Sequence, residues 1–284
     1  MSVENNKEAL AKLHKILLEM ISDIDTICRD NNIEYFLAGG SALGAHRHQG
    51  FIPWDDDLDI IMTIDNYLKF KEVCKTKLDT NKYYFQDGNT EENPLYFSKI
   101  RLKGTTLIEG NELYAMPKCP GIFIDIFVLF NTNNKFYTKK QYLYSRLLVA
   151  NSLSKMGYKT DKLVKKLFLF MGKRISNKKA LKYLKYLNKM QNKETAYYCD
   201  FIGRGKFRRK IFKKEIYGKP NYVKFENLML PVPSMLEEYC RTHYGDDFMT
   251  LPPEEKRTFL HVKHLFFDKE LTQDEIKKLL SEEV

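Results

Sequence analysis

The feature that most restricts this chain is a run of carboxylates set directly before an apolar stretch. It reads Asp55-Asp56-Asp57-Leu58-Asp59, followed by Ile60-Ile61-Met62. Leu58 to Met62 has the composition of a buried strand, yet burying an unpaired carboxylate is costly. Asp57 and Asp59 are two apart at the start of that strand, so their side chains point to one face. A divalent cation between them resolves the conflict, and an all-oxygen donor set favours Mg²⁺ or Mn²⁺ over Zn²⁺. Asp57 and Asp59 are therefore the expected catalytic metal ligands. For Asp55 and Asp56 two readings stay open: a second metal, or stabilisation of the loop.

Upstream, Gly39-Gly40-Ser41 follows the apolar run Ile33 to Ala38. A glycine-rich turn from strand to helix lets backbone N–H groups approach phosphate oxygens, helped by the positive end of the helix. Gly39, Gly40 and Ser41 are thus expected to bind the phosphates of a donor, with Ser41 also capping a short helix to His46. A third carboxylate is expected from Asp125, inside the apolar stretch Ile124-Asp125-Ile126-Phe127, where a charge needs a partner or a metal. The carboxylate nearest an acceptor hydroxyl can take its proton.

Around these motifs the pattern alternates helix and strand. Leu10, Leu13, Leu17, Met20, Ile21 and Ile24 give a helix over 8–31. A further helix spans 66–78, with Asp65 as its cap. Strands are expected at 83–86, 96–102, 105–108 and 121–130, and strand-like pieces at 197–202 and 222–231. Helices are expected at 234–243 and 272–280. The net charge of +10 is uneven: residues 133–215 hold 24 Lys/Arg against four Asp/Glu, which leaves the rest net acidic. That segment, from 136 to 190, alternates Leu/Phe with Lys and reads as helical. Five scattered cysteines without a C-x-x-C pair argue against a disulfide framework or a cysteine zinc site. The polar start and the lack of a long apolar run predict a cytoplasmic chain with no signal peptide or membrane span, peripheral at most at the inner face of the membrane.

Gly44-Ala45-His46-Arg47-His48, Gly50-Phe51-Ile52-Pro53-Trp54-Asp55-Asp56-Asp57 and Leu58-Asp59-Ile60 closely resemble the LicD family, which includes the fukutin-related proteins. The match continues with Lys99, the block from Gly121 to Phe127, Lys224-Phe225-Glu226, Tyr244-Gly245-Asp246 and Leu251-Pro252-Pro253. The resemblance implies an α+β fold: a nucleotidyltransferase-like mixed sheet flanked by helices, with a basic helical insert. The expected organisation is a catalytic core over 1–132, the insert over 133–195, and a part over 196–284 that completes the core. The resemblance also implies a metal-dependent phosphotransferase. It would move a phospho-alcohol, best taken as phosphocholine, from a CDP-linked donor to a hydroxyl of a cell-surface glycan (teichoic acid, lipopolysaccharide or capsule), releasing CMP. Carried over, Asp57, Asp59 and Asp125 form the acidic set, and Gly40 and Ser41 hold donor phosphates. Arg47 and His48 contact phosphate or order the loop. Phe127-Val128 stands where many members have Phe-Pro.

Other residues admit two readings. Trp54, the single tryptophan, faces a nucleobase or a choline head by cation–π contact, or anchors the loop. Phe225 and Glu226 close the substrate site or are structural. Lys99 and Arg101, on one side of a strand, bind phosphate or are solvated. His243 and His261 read as structural histidines. The basic insert either lies on an anionic membrane, binds a lipid-linked or free anionic glycan, or is an ordinary solvated face. Two alternative functions remain: a nucleotidyltransferase moving NMP from an NTP to a small molecule, and a basic nucleic-acid-binding module. No nucleic-acid-reading motif is present, so nucleic acid is not an expected partner.

Overall fold

The computed structural model describes residues 7–109, 117–133, 135–203, 206–257 and 262–282. Helix α1 (Lys7–Asp30) buries the predicted apolar stripe, Leu10 through Cys28. Next come β1 (Phe36–Leu37), α2 (Gly39–His48), β2 (Asp59–Thr63) and α3 (Ile64–Lys77). Strands β3 (Tyr83–Gln86), β4 (Ser98–Leu102), β5 (Thr106–Glu109) and β6 (Phe123–Thr132) complete the N-terminal half. The insert is three helices: α4 (Lys135–Lys155), α5 (Leu163–Lys173) and α6 (Asn177–Leu187). The C-terminal part holds β7 (Tyr197–Cys199), β8 (Ile211–Lys213), α7 (Lys214–Tyr217), β9 (Asn221–Phe225) and β10 (Leu228–Val232). It ends with α8 (Leu236–Tyr244), β11 (Val262–Phe266) and α9 (Gln273–Ser281).

The main sheet runs β1-β2-β6-β4-β3, with β7 and β8 added along the far end of β6. Within it β2 and β6 are parallel, and the other pairs are antiparallel. The fold is therefore the expected mixed sheet flanked by helices. Strand β6 is its spine. Ile124, Ile126 and Leu129 are fully buried, as is Ile60 on β2. Such strands, apolar on both faces, belong to the middle of a covered sheet.

Some local expectations change. The cap of α3 is Thr63, whose Oγ1 accepts from the Asn66 N–H, so Asp65 lies inside the first turn. There its charge still suits the positive helix end. Helix α2 starts at Gly39 after Ala38, not at Ser41. The apolar run 222–231 is a hairpin of β9 and β10, not one strand. Its turn holds Glu226 at φ 55°, a conformation that non-glycine residues seldom adopt. Glu226 is held there by its N–H donating to Gln49 O (2.7 Å) and by its carboxylate accepting from the Phe51 N–H (3.1 Å).

The insert is fastened to the core by buried polar contacts. Gln141 donates to the carbonyls of Asn131 and Leu187 (both 3.0 Å), and Ser152 donates to Pro94 O (2.6 Å). Asn151 accepts from the Tyr96 hydroxyl and donates to the carbonyls of Gly172 and Ile175, closing the end of α5. All five cysteines are free and buried.

Candidate active site

Sheet register builds the centre of the site. Asp59 on β2 pairs with Asp125 on β6, which pairs with Lys99 on β4. One row across three adjacent strands therefore reads carboxylate, carboxylate, ammonium. Neighbours in such a row stand about 5 Å apart, so the charges must be reconciled locally. Lys99 does part of this. It is 1% exposed, with Nζ 3.0 Å from Asp125 and 3.5 Å from Glu109, over the face of Phe123.

Among the described residues no ion pair is seen at Asp59. Burial, then the charges of Asp57, Asp125 and Asp55, push its carboxyl well above the usual carboxylate range; Lys99 opposes them. The loop before β2 brings more oxygens. Carboxylate oxygens of Asp55, Asp56 and Asp57 lie within 4.8 Å of one another. Asp57 sits in this loop and Asp59 opens the strand, and both line the same cavity. Asp56 is buried and accepts from the Val262 N–H (3.0 Å), which ties the loop to β11. The loop is also held by His14, whose Nε2 lies 2.7 Å from the Asp55 carbonyl.

The two glycines meet this acidic set directly. A Cβ on Gly39 (φ +51°) would come within 3.2 Å of Asp59, and one on Gly40 would collide with the Asp55 carboxylate. The N-terminus of α2 thus sits against carboxylates, where its partial positive charge is favourable. Gly39 N–H donates to the Tyr239 hydroxyl (2.9 Å).

These residues line one cavity of about 830 Å³. Gly39, Gly40, Trp54, Asp55, Asp57, Asp59, Glu109 and Asp125 form its acidic end. Much of the remaining lining is apolar and aromatic, with Tyr96, Phe97, Phe127, Tyr158 and Phe168 among its residues. Phe97 and Phe127 have ring centroids 4.5 Å apart. A volume of this size suits a ligand larger than a single sugar. Among the described residues the carboxylates that come together at metal-ligand spacing are Asp55, Asp56 and Asp57. An all-oxygen set of this kind could hold a hard divalent cation, and Asp59 and Asp125 line the same cavity.

Several expected contacts fall elsewhere. Ser41 is buried behind the wall, and its Oγ accepts from the Asp59 N–H (2.9 Å); it positions the carboxylate. Lys99 is a counter-ion to Asp125 rather than a cation presented to the cavity. Arg101 is fully buried and donates to Gln86 and the Gly121 carbonyl. Arg47 donates to the Phe248 carbonyl (3.0 Å) and to His48, whose ring meets Trp54 edge-on. The pair therefore braces the loop. Trp54 does reach the cavity wall, with the Arg257 guanidinium 5.3 Å from its ring. Phe225 is fully buried against Phe51, and Glu226 braces the backbone at Phe51, so neither is at the wall. His261 lies outside the described residues.

The structure adds groups that sequence reasoning did not single out. Glu109 arrives from β5, and Asp200 and Lys210 also line the cavity, together with His243, which the sequence marks only as a structural histidine. The aromatic wall comes from the loop before β4, from β6 and from the insert. Nothing in the local sequence marks these residues, because their chemistry arises from tertiary neighbours.

Residues 32–147 match the family model described as LicD/FKTN/FKRP, nucleotidyltransferase domain. Over 272 residues the chain is 26% identical to the lipopolysaccharide cholinephosphotransferase LicD of Haemophilus influenzae, covering 92% of this chain and 98% of that protein. It is also 40% identical over 117 residues to an uncharacterised protein of Rickettsia typhi, covering 36% of this chain and 38% of that one.

Proposed function

We propose that this chain, whose residues 32–147 match a LicD-type nucleotidyltransferase model, transfers phosphocholine from a CDP-linked donor to a hydroxyl of a cell-surface glycan and releases CMP. The observation that carries this reading is the cavity itself, which joins crowded carboxylates and an aromatic lining in one space. The acidic end suits the diphosphate with a Mg²⁺ or Mn²⁺ ion, and the aromatic wall suits a methylated ammonium head by cation–π attraction. The similarity to a cholinephosphotransferase, which spans nearly the full length of both proteins, points the same way.

Asp57, Asp59 and Asp125, with Asp55, would hold the ion. Bound there, it would neutralise charge on the transferring phosphoryl group. The residues of the chain supply positioning. Ser41 and Tyr239 fix the strand end and the turn at Gly39, and Lys99 keeps Asp125 in place. The glycan hydroxyl forms the new bond to phosphorus as the bond to the CMP oxygen breaks. Its proton passes to a carboxylate oxygen of the set.

The deciding experiment offers CDP-choline and other CDP-alcohols with a cell-surface glycan, in Mg²⁺, Mn²⁺ or EDTA. Metal-dependent CMP from CDP-choline is the expected result. CMP from a different CDP-alcohol would change the alcohol and keep the reaction. Pyrophosphate from NTPs, without CMP from any CDP-alcohol, would favour NMP transfer instead.

A further inference from the structure

Helix α5 has two faces of opposite use. Lys165, Phe168 and Leu169 line the catalytic cavity. Gly172 continues that side, and a Cβ there would run into the backbone of α4 at Ala150, so the two helices touch at their main chains. The other side carries Leu163 (82% exposed), Val164 (82%), Leu167 (61%), Phe170 (50%) and Met171 (43%). Their spacing of one, four, seven and eight residues makes a single continuous stripe. An apolar stripe this open is unusual on a protein that meets only water.

The rim of the stripe is basic. Lys159 and Lys162 precede the stripe, Lys166 and Lys173 flank it and Arg174 follows it, and Asp161 is the sole acidic residue between 155 and 179. The Arg174 guanidinium lies 4.0 Å from the Phe170 ring, at the edge of the apolar face. Apolar centre and cationic margin match the two layers of an anionic bilayer surface: acyl chains below, phosphate headgroups beside. A glycan alone would leave the exposed leucines and Phe170 unexplained. Among the described residues no helix is long and apolar enough to cross a membrane, so attachment here would be lateral.

We infer that α5 seats its outer face in the headgroup layer of a membrane rich in anionic lipid, while its inner face walls the catalytic cavity. This attachment does not depend on which donor the site uses.

The test is sedimentation of the full chain with vesicles of phosphatidylcholine alone or with added phosphatidylglycerol, at low and high salt. The intact chain should bind the anionic vesicles and be released by salt. Two variants separate the contributions. Combined Leu163→Ser, Leu167→Ser and Phe170→Ser removes the apolar stripe. Combined Lys159→Glu, Lys162→Glu and Lys166→Glu reverses the rim. Each should weaken partition by about tenfold or more. All six side chains are exposed, so unchanged thermal unfolding should accompany the loss. Absence of binding at low salt would overturn the inference, as would binding that the serine variant leaves intact. Concentration-dependent self-association, abolished by the serine variant and without vesicle binding, would assign the stripe to a second copy of the chain instead.

Discussion

Two carboxyl groups on the same cavity, Asp59 and Asp200, are driven in opposite directions. Burial raises both. For Asp59 the nearest charges are more carboxylates, and its carboxyl is pushed well above the usual range. For Asp200 the Lys210 ammonium stands 2.5 Å away and the Gly203 N–H donates to it, so its carboxyl ends below the usual range. Desolvation alone therefore does not distinguish function from structure; the sign of the neighbours does. A carboxylate that the fold compensates is a brace, and one that the fold leaves crowded is a candidate for an external cation.

The comparison breaks most visibly by substitution. Asp59→Asn should cut CMP release by about 10³-fold or more, roughly 4 kcal/mol in the barrier. It should leave thermal stability equal or higher, because a repelled charge is removed. A melting temperature that drops by several degrees would mean that Asp59 was a brace after all. Lys210→Met should behave in the opposite manner. It strands a buried Asp200 and should lower stability by about 3 kcal/mol. Adding Asp200→Asn to it should recover most of that loss in denaturant titrations.

A third test uses the metal itself. At about 100 times its Kd, Mg²⁺ or Mn²⁺ should stabilise the intact chain by roughly 3 kcal/mol, and EDTA should reverse this. Calorimetry of Asp57→Asn should show little shift. The smallest effect is on pH. Burial and the nearby Lys210 lower the His243 imidazole to about 4. Its folded value lies below the unfolded value of about 6.5, so its neutral form stabilises the fold fully above that pH. The contribution is lost as pH falls toward 4. Melts should show about 2 kcal/mol less stability at pH 5 than at pH 8, and His243→Gln should flatten that slope. Asp200, with its depressed carboxyl, contributes in the same direction at lower pH.

The acidic end was legible because its signals are local. An Asp-x-Asp at the head of an apolar run, and an Asp inside another, conflict with burial wherever they occur. α1 was legible for the same reason, through its repeated apolar spacing. What was not legible depends on contacts distant in sequence. Lys99 reads as a free cation until β4 is seen beside β6, where Asp125 claims it. Ser41 reads as a cap until the Asp59 N–H reaches it across eighteen residues. The β9–β10 hairpin lacks a glycine at its turn, because Gln49 and Phe51 hold Glu226 in place instead. Glu109, Asp200 and the aromatic wall carry no pattern of their own.

The parallel pairing of β2 with β6 also has a consequence for how the molecule comes into being. Asp59 and Asp125 are register partners, yet the α3 to β5 segment must be synthesised and crossed before they can meet. Such non-local closure is slow and entropically demanding. A chain emerging from the ribosome therefore has its acidic loop long before it has a site. Until β6 slots in between β2 and β4, the growing chain cannot complete the row. Competence is thus timed by topology, arriving with the centre of the sheet.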